Sequence, residues 1–310
     1  SDGAVLSGQA ASTTMAVRLV RGGVKSTAYD VRTQDVPGAV LAGPSTAGDE
    51  TGNLLLTLPT GPNQSLIFLT HGWNAAASEW PEIMLNVLCG RLGAPVLDGG
   101  LTTPGQAGVA KYCQSGVWRV VSFNWKAMAL DLPNVTPWRA LSNAEHLGER
   151  VGKLLAGAST PYAMVHLVGH SAGSNLIHIV GRELRLANAT TPKIQSTFLD
   201  AFCGYPDRCD YGVWSDWADS YFDAHPIIAS EGTETRRRLC NAANFDLSAT
   251  YPISDEGALG DLVSQARHAW PYKCYATSAA TGAFSSSAYN VNCLGNAAGN
   301  AGFGLSYFGA

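Results

Sequence analysis

The chain has 310 residues, enough for one large domain or two small ones, and only 14% of them are charged, against roughly 25% in an average soluble domain. A formal net charge of −4 gives no electrostatic footprint for nucleic acid, and the one basic run, Arg236-Arg237-Arg238, is short enough to read as a solvated face. Thirty-four glycines in a chain this poor in charge argue for a compact, turn-rich globule rather than disorder, and no window nears the roughly 18 consecutive apolar residues of a membrane span.

In chain order, strand-like runs alternate with helix-like ones. "AVRLV", "NLLLTL", "SLIFLTH" and "VWRVVSFNW" read as short strands, "NAEHLGERVGKLLAG" as a helix, "AMVHLVGH" as a strand and "AGSNLIHIVGRELR" as a second helix. Short apolar strands separated by helices predict an α/β fold, a mostly parallel central sheet with helices on both faces. In the first helix Leu147, Val151, Leu154 and Leu155 share one face, with Glu149, Arg150 and Lys153 outward. Its "GERVGKL" lacks the length and the Ser or Thr of a phosphate loop. No internal repeat interrupts the chain, which reads as a single domain over 1–310. The Gly/Ala/Ser-rich stretch 275–310 carries Tyr289, Phe303, Tyr307 and Phe308 and is therefore expected to pack as a tail of that domain.

Seven cysteines without Cys-x-x-Cys spacing point to disulfides, hence to an oxidising compartment and a secreted protein. With Ser1 first and no leader before it, the chain is expected to be a mature form. Cys203 with Cys209, across a Pro-Asp turn, and Cys89 with Cys113, closing a Gly/Pro-rich loop, are the expected pairs. One free thiol is then left among Cys240, Cys274 and Cys293.

The chemistry centres on "VHLVGHSAGSNLIHIVG". Gly-x-Ser-x-Gly between a strand and a helix puts Ser171 on a strained turn where side chains at the flanking positions would collide with backbone, and aims the helix N-terminus at it. A serine hydroxyl needs a base, and the base an orienting carboxylate. Beyond the helix only His225, in "DSYFDAHPI", and His268, in "SQARHAWPYKCY", remain. His225 ends a strand-like run, whereas His268 is expected on an irregular, loop-like stretch, as a base should be. For the acid, Asp200 follows the apolar run "STFLDAF", with Asp219 and Asp223 as competitors. No cofactor or metal is needed for such chemistry.

Motif by motif over about residues 65–275, the sequence resembles the animal lipase family that includes lipoprotein, hepatic and pancreatic lipases and the phospholipases A1. "FLTHGWNAAASEWPEIMLNVL" resembles its His-Gly-Trp segment, "VVSFNW" its next strand, "VHLVGHSAGSNLIHIVG" its serine turn, "TFLDAF" its Leu-Asp-Pro-Ala segment, "SDWADSYFDAH" its following acidic strand, and "ALGDLVSQARHAW" the stretch with its catalytic histidine. The resemblance implies an α/β-hydrolase fold and a lipase or esterase activity through an acyl-enzyme. It implies Ser171, Asp200 and His268 as the triad, with the backbone N–H groups of Trp73 and Ala172 as the oxyanion hole. Ala172 stands where the family usually has Leu, and Phe202 falls in the turn after the acid. Of the family's acidic calcium ligands only Asp216 has a counterpart, so no calcium is expected. Nothing corresponds to the family's C-terminal β-sandwich, and no partner docking there is expected. The alternation of Phe245, Leu247, Tyr251 and Ile253 with polar residues over 241–264 fits either a lid loop or a surface loop with a few anchoring side chains. The expected partner is an ester substrate, at a lipid or polymer surface or in solution, taken by a monomer. Polyester and phospholipid acyl hydrolysis, and an inactive binding protein on the same scaffold, are the alternatives.

Overall fold

A computed structural model describes residues 64–101, 107–129, 137–157, 162–187, 192–203, 210–224, 235, 237–251 and 266–279. In chain order the described elements are β1 (Ser65–Thr70), α1 (Trp80–Arg91), β2 (Leu97–Asp98), β3 (Gly108–Ser115), β4 (Trp118–Asn124), α2 (Lys126–Ala129), α3 (Pro137–Ala156), β5 (Met164–His170), α4 (Gly173–Ala187), β6 (Lys193–Leu199), β7 (Trp217–Phe222), β8 (Ala243–Asp246) and α5 (Ala266–Ala279). The strands form one eight-stranded sheet in the order β2-β3-β4-β1-β5-β6-β7-β8. All pairings from β4 through β8 are parallel, and β2 and β3 add an antiparallel edge beside β4. The two runs "AVRLV" and "NLLLTL" lie outside the described residues.

The central strands β1, β5 and β6 are buried along almost their whole length because both sheet faces are covered. Leu66 and Phe68 of β1 join Val121, Phe123, Val165 and Leu167 in a core under α3 and α4, while Ile67 and Leu69 face the other way onto Trp80, Met84 and Leu85 of α1 and Trp270, Cys274 and Tyr275 of α5. The two-residue period of a strand sorts these side chains between the layers. The glycines of "GERVGKL" serve this packing. A Cβ at Gly148 would lie 2.6 Å from the Leu176 carbonyl oxygen, and one at Gly152 would lie 2.5 Å from Glu183 Cβ, so both glycines let α3 approach α4 closely.

Cys89 of α1 and Cys113 of β3 form a disulfide with 5.9 Å between Cα atoms, as the spacing predicts. A loop of this length constrains the unfolded chain by about 3 kcal/mol in the chain-entropy account. Cys274 is also disulfide-bonded and so is not the leftover thiol. Cys209 and Cys293 lie outside the described residues.

Two of the expected segments fall partly among the described residues. Part of the segment 241–264 is a strand: Ala243–Asp246 pairs in parallel with β7, Phe245 stacks on Tyr221 at 4.9 Å, and Leu247 is buried. Alternation of apolar and polar residues is the signature of a half-buried strand, and here it built an edge strand; residues 252–264 lie outside the description. Of the stretch 275–310, residues 275–279 are the last part of α5, with Tyr275, Ala276 and Ala279 buried. The rest of it lies outside the described residues. Among the described residues, no helix is long and apolar enough to cross a membrane.

Candidate active site

In an open parallel sheet, a crevice forms where the connections leave two neighbouring strands in opposite directions, outside the C-terminal strand ends. From β1 the next parallel neighbour in sequence is β4 on one side, and from β5 it is β6 on the other. Trp73 follows β1 and Ser171 follows β5, so both stand at this switch point.

Three described non-glycine residues have positive φ: Asn74 at 53°, Ser171 at 53° and Asp200 at 44°. All three lie just past C-terminal strand ends, after β1, β5 and β6. Each such residue costs on the order of 1–3 kcal/mol and is held by its surroundings. Ser171 is held by its own N–H donating to the Leu199 carbonyl at 3.0 Å and by its carbonyl accepting from Ser174 and Phe202 at 3.0 and 3.2 Å. Asp200 is held by its N–H donating to the Tyr221 carbonyl at 2.7 Å.

The flanking glycines have a steric cause. A Cβ at Gly169 would lie 2.5 Å from the Gly173 carbonyl oxygen, and one at Gly173 would lie 2.4 Å from the His71 carbonyl oxygen. A Cβ at Gly72 would come within 2.6 Å of Ser171 Cβ, which shows how closely the end of β1 approaches the serine. His71 anchors that end. Its Nε2 accepts the Trp125 backbone N–H at 3.0 Å, which leaves Nδ1–H to donate to the Gly72 carbonyl at 2.9 Å, while the Trp125 indole N–H donates to the His71 carbonyl at 2.8 Å. Burial holds this imidazole neutral, with its pKa down to about 4. Neither the N–H of Trp73 nor that of Ala172 hydrogen-bonds to another described residue, so both are available at the mouth of the turn.

The structure brings His268 and Asp200 together: His268 Nδ1–H donates to Asp200 Oδ2 at 2.5 Å. Asp200 is 1% exposed, and its other oxygen accepts the Asp223 backbone N–H at 3.1 Å, with the Thr235 hydroxyl a further donor. Burial pushes the carboxyl above its ordinary value, against the opposing pull of these donors and of His268. His268 is not on a loop, contrary to expectation. It lies in the first turn of α5, which runs on through Pro271, a residue tolerated near a helix start but not deep inside one.

His170, the residue before Ser171, contacts His268. The His170 Nε2–H donates to the His268 carbonyl at 3.0 Å, and the two rings lie 4.5 Å apart. Burial, reinforced by His268, keeps His170 neutral, with its pKa well below the ordinary value. No hydrogen bond joins the Ser171 hydroxyl to His268 among the described residues. Such contacts are often long in uncomplexed sites and tighten around a reacting carbonyl.

The competing acids have other partners. Asp219 lies within β7, where its Oδ1 accepts the Thr197 hydroxyl at 2.5 Å and its Oδ2 the Tyr221 hydroxyl at 3.2 Å. Asp223 pairs with Arg267. His225 lies outside the described residues. Asp216 is engaged by Arg185 and by the Ile194 N–H at 2.8 Å. Among the described residues no three His, Cys, Asp or Glu side chains cluster as a metal site would require.

Sequence reasoning missed three supports: His71, His170 and the Asp223–Arg267 pair. The place of His170 inside Gly-x-Ser-x-Gly was a signal for the second. His71 stands in the quoted His-Gly-Trp segment, which was a signal for the first; the ion pair depends on a long-range contact that leaves no local pattern.

No model of a known protein family matches the sequence, and no curated protein matches it either. The functional reading therefore rests on the chain's own geometry.

Proposed function

We propose that this protein is a serine hydrolase of the α/β-hydrolase type that cleaves carboxylic esters through an acyl-enzyme. The observation that carries the reading is the 2.5 Å hydrogen bond between Asp200 and His268 beside a strained Ser171 at the switch point of the sheet. With Nδ1–H committed to Asp200, the imidazole presents Nε2 as its basic nitrogen. Ser171 Oγ attacks the ester carbonyl carbon while its proton passes to His268 Nε2. The carbonyl oxygen takes the negative charge and is received by the N–H groups of Trp73 and Ala172, groups that need no reorganisation to receive it. The carbon–oxygen bond to the leaving group then breaks, and His268 returns the proton to the departing alkoxide. Water repeats the sequence on the acyl group and frees Ser171.

The motif resemblance to animal lipases and phospholipases A1 supports acyl esters as the substrate class, whether of lipids, small alcohols or a polyester. The Cys89–Cys113 disulfide suits an oxidising, extracellular setting. Ser171→Ala should lower kcat on short p-nitrophenyl esters by about 10⁴-fold or more with the fold intact, and a fluorophosphonate should label Ser171 alone. Retained activity, or no labelling of the wild-type chain, would refute the reading and favour a binding protein on the same scaffold.

A further inference from the structure

Arg267 is a puzzle if only the helix is considered. A cation in the first turn of α5 faces the positive end of the helix dipole, and this one is 9% exposed, so neither local electrostatics nor solvation favours it there. Its partner explains the placement. Arg267 Nη1–H donates to Asp223 Oδ2 at 3.0 Å, and Asp223 is 3% exposed. The guanidinium also lies 4.3 Å above the Tyr251 ring, just after β8.

The two ends of this ion pair are not arbitrary. Asp223 follows β7 directly, and its backbone N–H donates to Oδ1 of Asp200, whose Oδ2 holds His268. Arg267 is the residue bonded to His268. A closed ring therefore runs from Asp200 through the Asp223 backbone, the Asp223 carboxylate and the Arg267 side chain to His268 and back to Asp200. The direct hydrogen bond sets one distance in this ring, and the ion pair sets the position of the backbone that carries the imidazole.

We infer that Asp223 and Arg267 are positioning residues, an ion-pair clamp that holds the start of α5 against the end of β7 so that His268 keeps its geometry toward Asp200 and Ser171. The inference rests on the reading of Ser171, Asp200 and His268 as a triad. Removing the clamp leaves every proposed catalytic group in place but allows α5 to shift, and a displacement near 1 Å is enough to cost about 10²-fold in rate. Because the contact is made by one guanidinium nitrogen and not by a bidentate fork, a lysine can keep it.

The test compares Asp223→Asn, Arg267→Met, Arg267→Lys and the Asp223→Asn/Arg267→Met double variant with the wild type. Four measurements are made: fluorophosphonate labelling rate at Ser171, kcat and KM on a soluble ester, the downfield proton resonance of the His268–Asp200 hydrogen bond, and thermal unfolding. Asp223→Asn keeps the backbone N–H and the side-chain shape, so it removes the carboxylate charge and leaves the link to Asp200 in place. The expected result is a kcat and labelling rate lowered by about 10- to 100-fold in Asp223→Asn and Arg267→Met, with KM within about twofold. Arg267→Lys should stay within about threefold of wild type, the double variant should be no worse than Arg267→Met, and the downfield resonance should weaken or shift in the variants that lose the pair. Wild-type labelling with unchanged labelling, kcat and resonance in Asp223→Asn would overturn the clamp and leave the triad standing. Losses additive in the double variant, or tracking loss of folded protein alone, would also overturn it. Absence of wild-type labelling would instead overturn the triad reading itself.

Discussion

Asp200 and Asp219 sit one strand apart, both almost wholly buried, and they lead different chemical lives. Asp200 lies just past the end of β6 in a positive-φ conformation and meets an imidazole. Asp219 lies within β7 in regular extended structure and meets hydroxyls: Thr197 and Tyr221 directly, with His166 and Tyr275 reached through Thr197 at 2.9 and 3.3 Å. The difference follows from what each partner can carry. An imidazole can become a cation and so stabilises a carboxylate beside it, whereas hydroxyls can only donate hydrogen bonds. Burial consequently raises the Asp219 carboxyl to about 7, a protonated or half-protonated group at neutral pH. A buried carboxylate next to an apolar strand is thus a candidate acid only where the strand has ended and a base faces it.

The sharpest way to break this contrast is Asp200→Asn. If the carboxylate holds His268 in its tautomer and stabilises the imidazolium, kcat should fall by about 10³- to 10⁴-fold, read as steady-state hydrolysis of a soluble ester. A loss below tenfold would move the acid elsewhere. The matching change one strand over, Asp219→Asn, should leave kcat within about threefold, because the network it joins lies inside the sheet and touches none of the proposed catalytic atoms. A large loss there would erase the distinction between the two sites.

The smallest effect is in the pH dependence of stability. The folded pKa of Asp219 is raised from 3.8 to about 7, so between these values the folded chain binds a proton that the unfolded chain has lost. Its contribution is therefore fully present below about pH 4 and is lost as pH rises through 7. Buried histidines act in the opposite sense: His170 is held well below its ordinary value by burial. His71 and His166 have pKa values pushed down by burial to about 4 and about 3, so their contribution is present above 6.5 and is lost as pH falls. The difference between wild type and Asp219→Asn cancels the histidines. Measured by thermal unfolding from pH 5 to pH 8, the Asn variant should gain on the wild type up to about pH 7 and level off above it. A difference flat with pH would mean that Asp219 is ionised throughout.

Much of this arrangement was legible in the sequence, for identifiable reasons. The largely apolar runs of β1 and β5 mark strands buried on both faces, and Leu147, Val151 and Leu155 give α3 its inward side. Ser171 was legible because its steric requirement is local: Gly169 and Gly173 are demanded by backbone atoms only a few residues away or on the adjoining strand. Asp200 was less so, since nothing near it distinguishes a strand-end carboxylate from Asp219 until the register of β6 against β7 is known. The helical seat of His268 was obscured by Pro271, a strong breaker in sequence that here lies inside the helix. Of the alternation over 241–264, Phe245 lies in the edge strand β8 and Leu247 directly after it; an edge strand and an amphipathic loop share a two-residue period. Arg267 and Asp223 are 44 residues apart and carry no spacing rule at all.

The positive-φ residues at the C-terminal edge of the sheet carry one more meaning. Ser171 and Asp200 occupy backbone conformations that glycine would adopt more easily, on consecutive parallel strands of the sheet. A chain optimised for stability alone would have no reason to keep side chains there. The rim of the sheet is therefore a place where tolerance to mutation and usefulness are opposed. Glycine would relax the backbone at either position while deleting the groups around which this site is built.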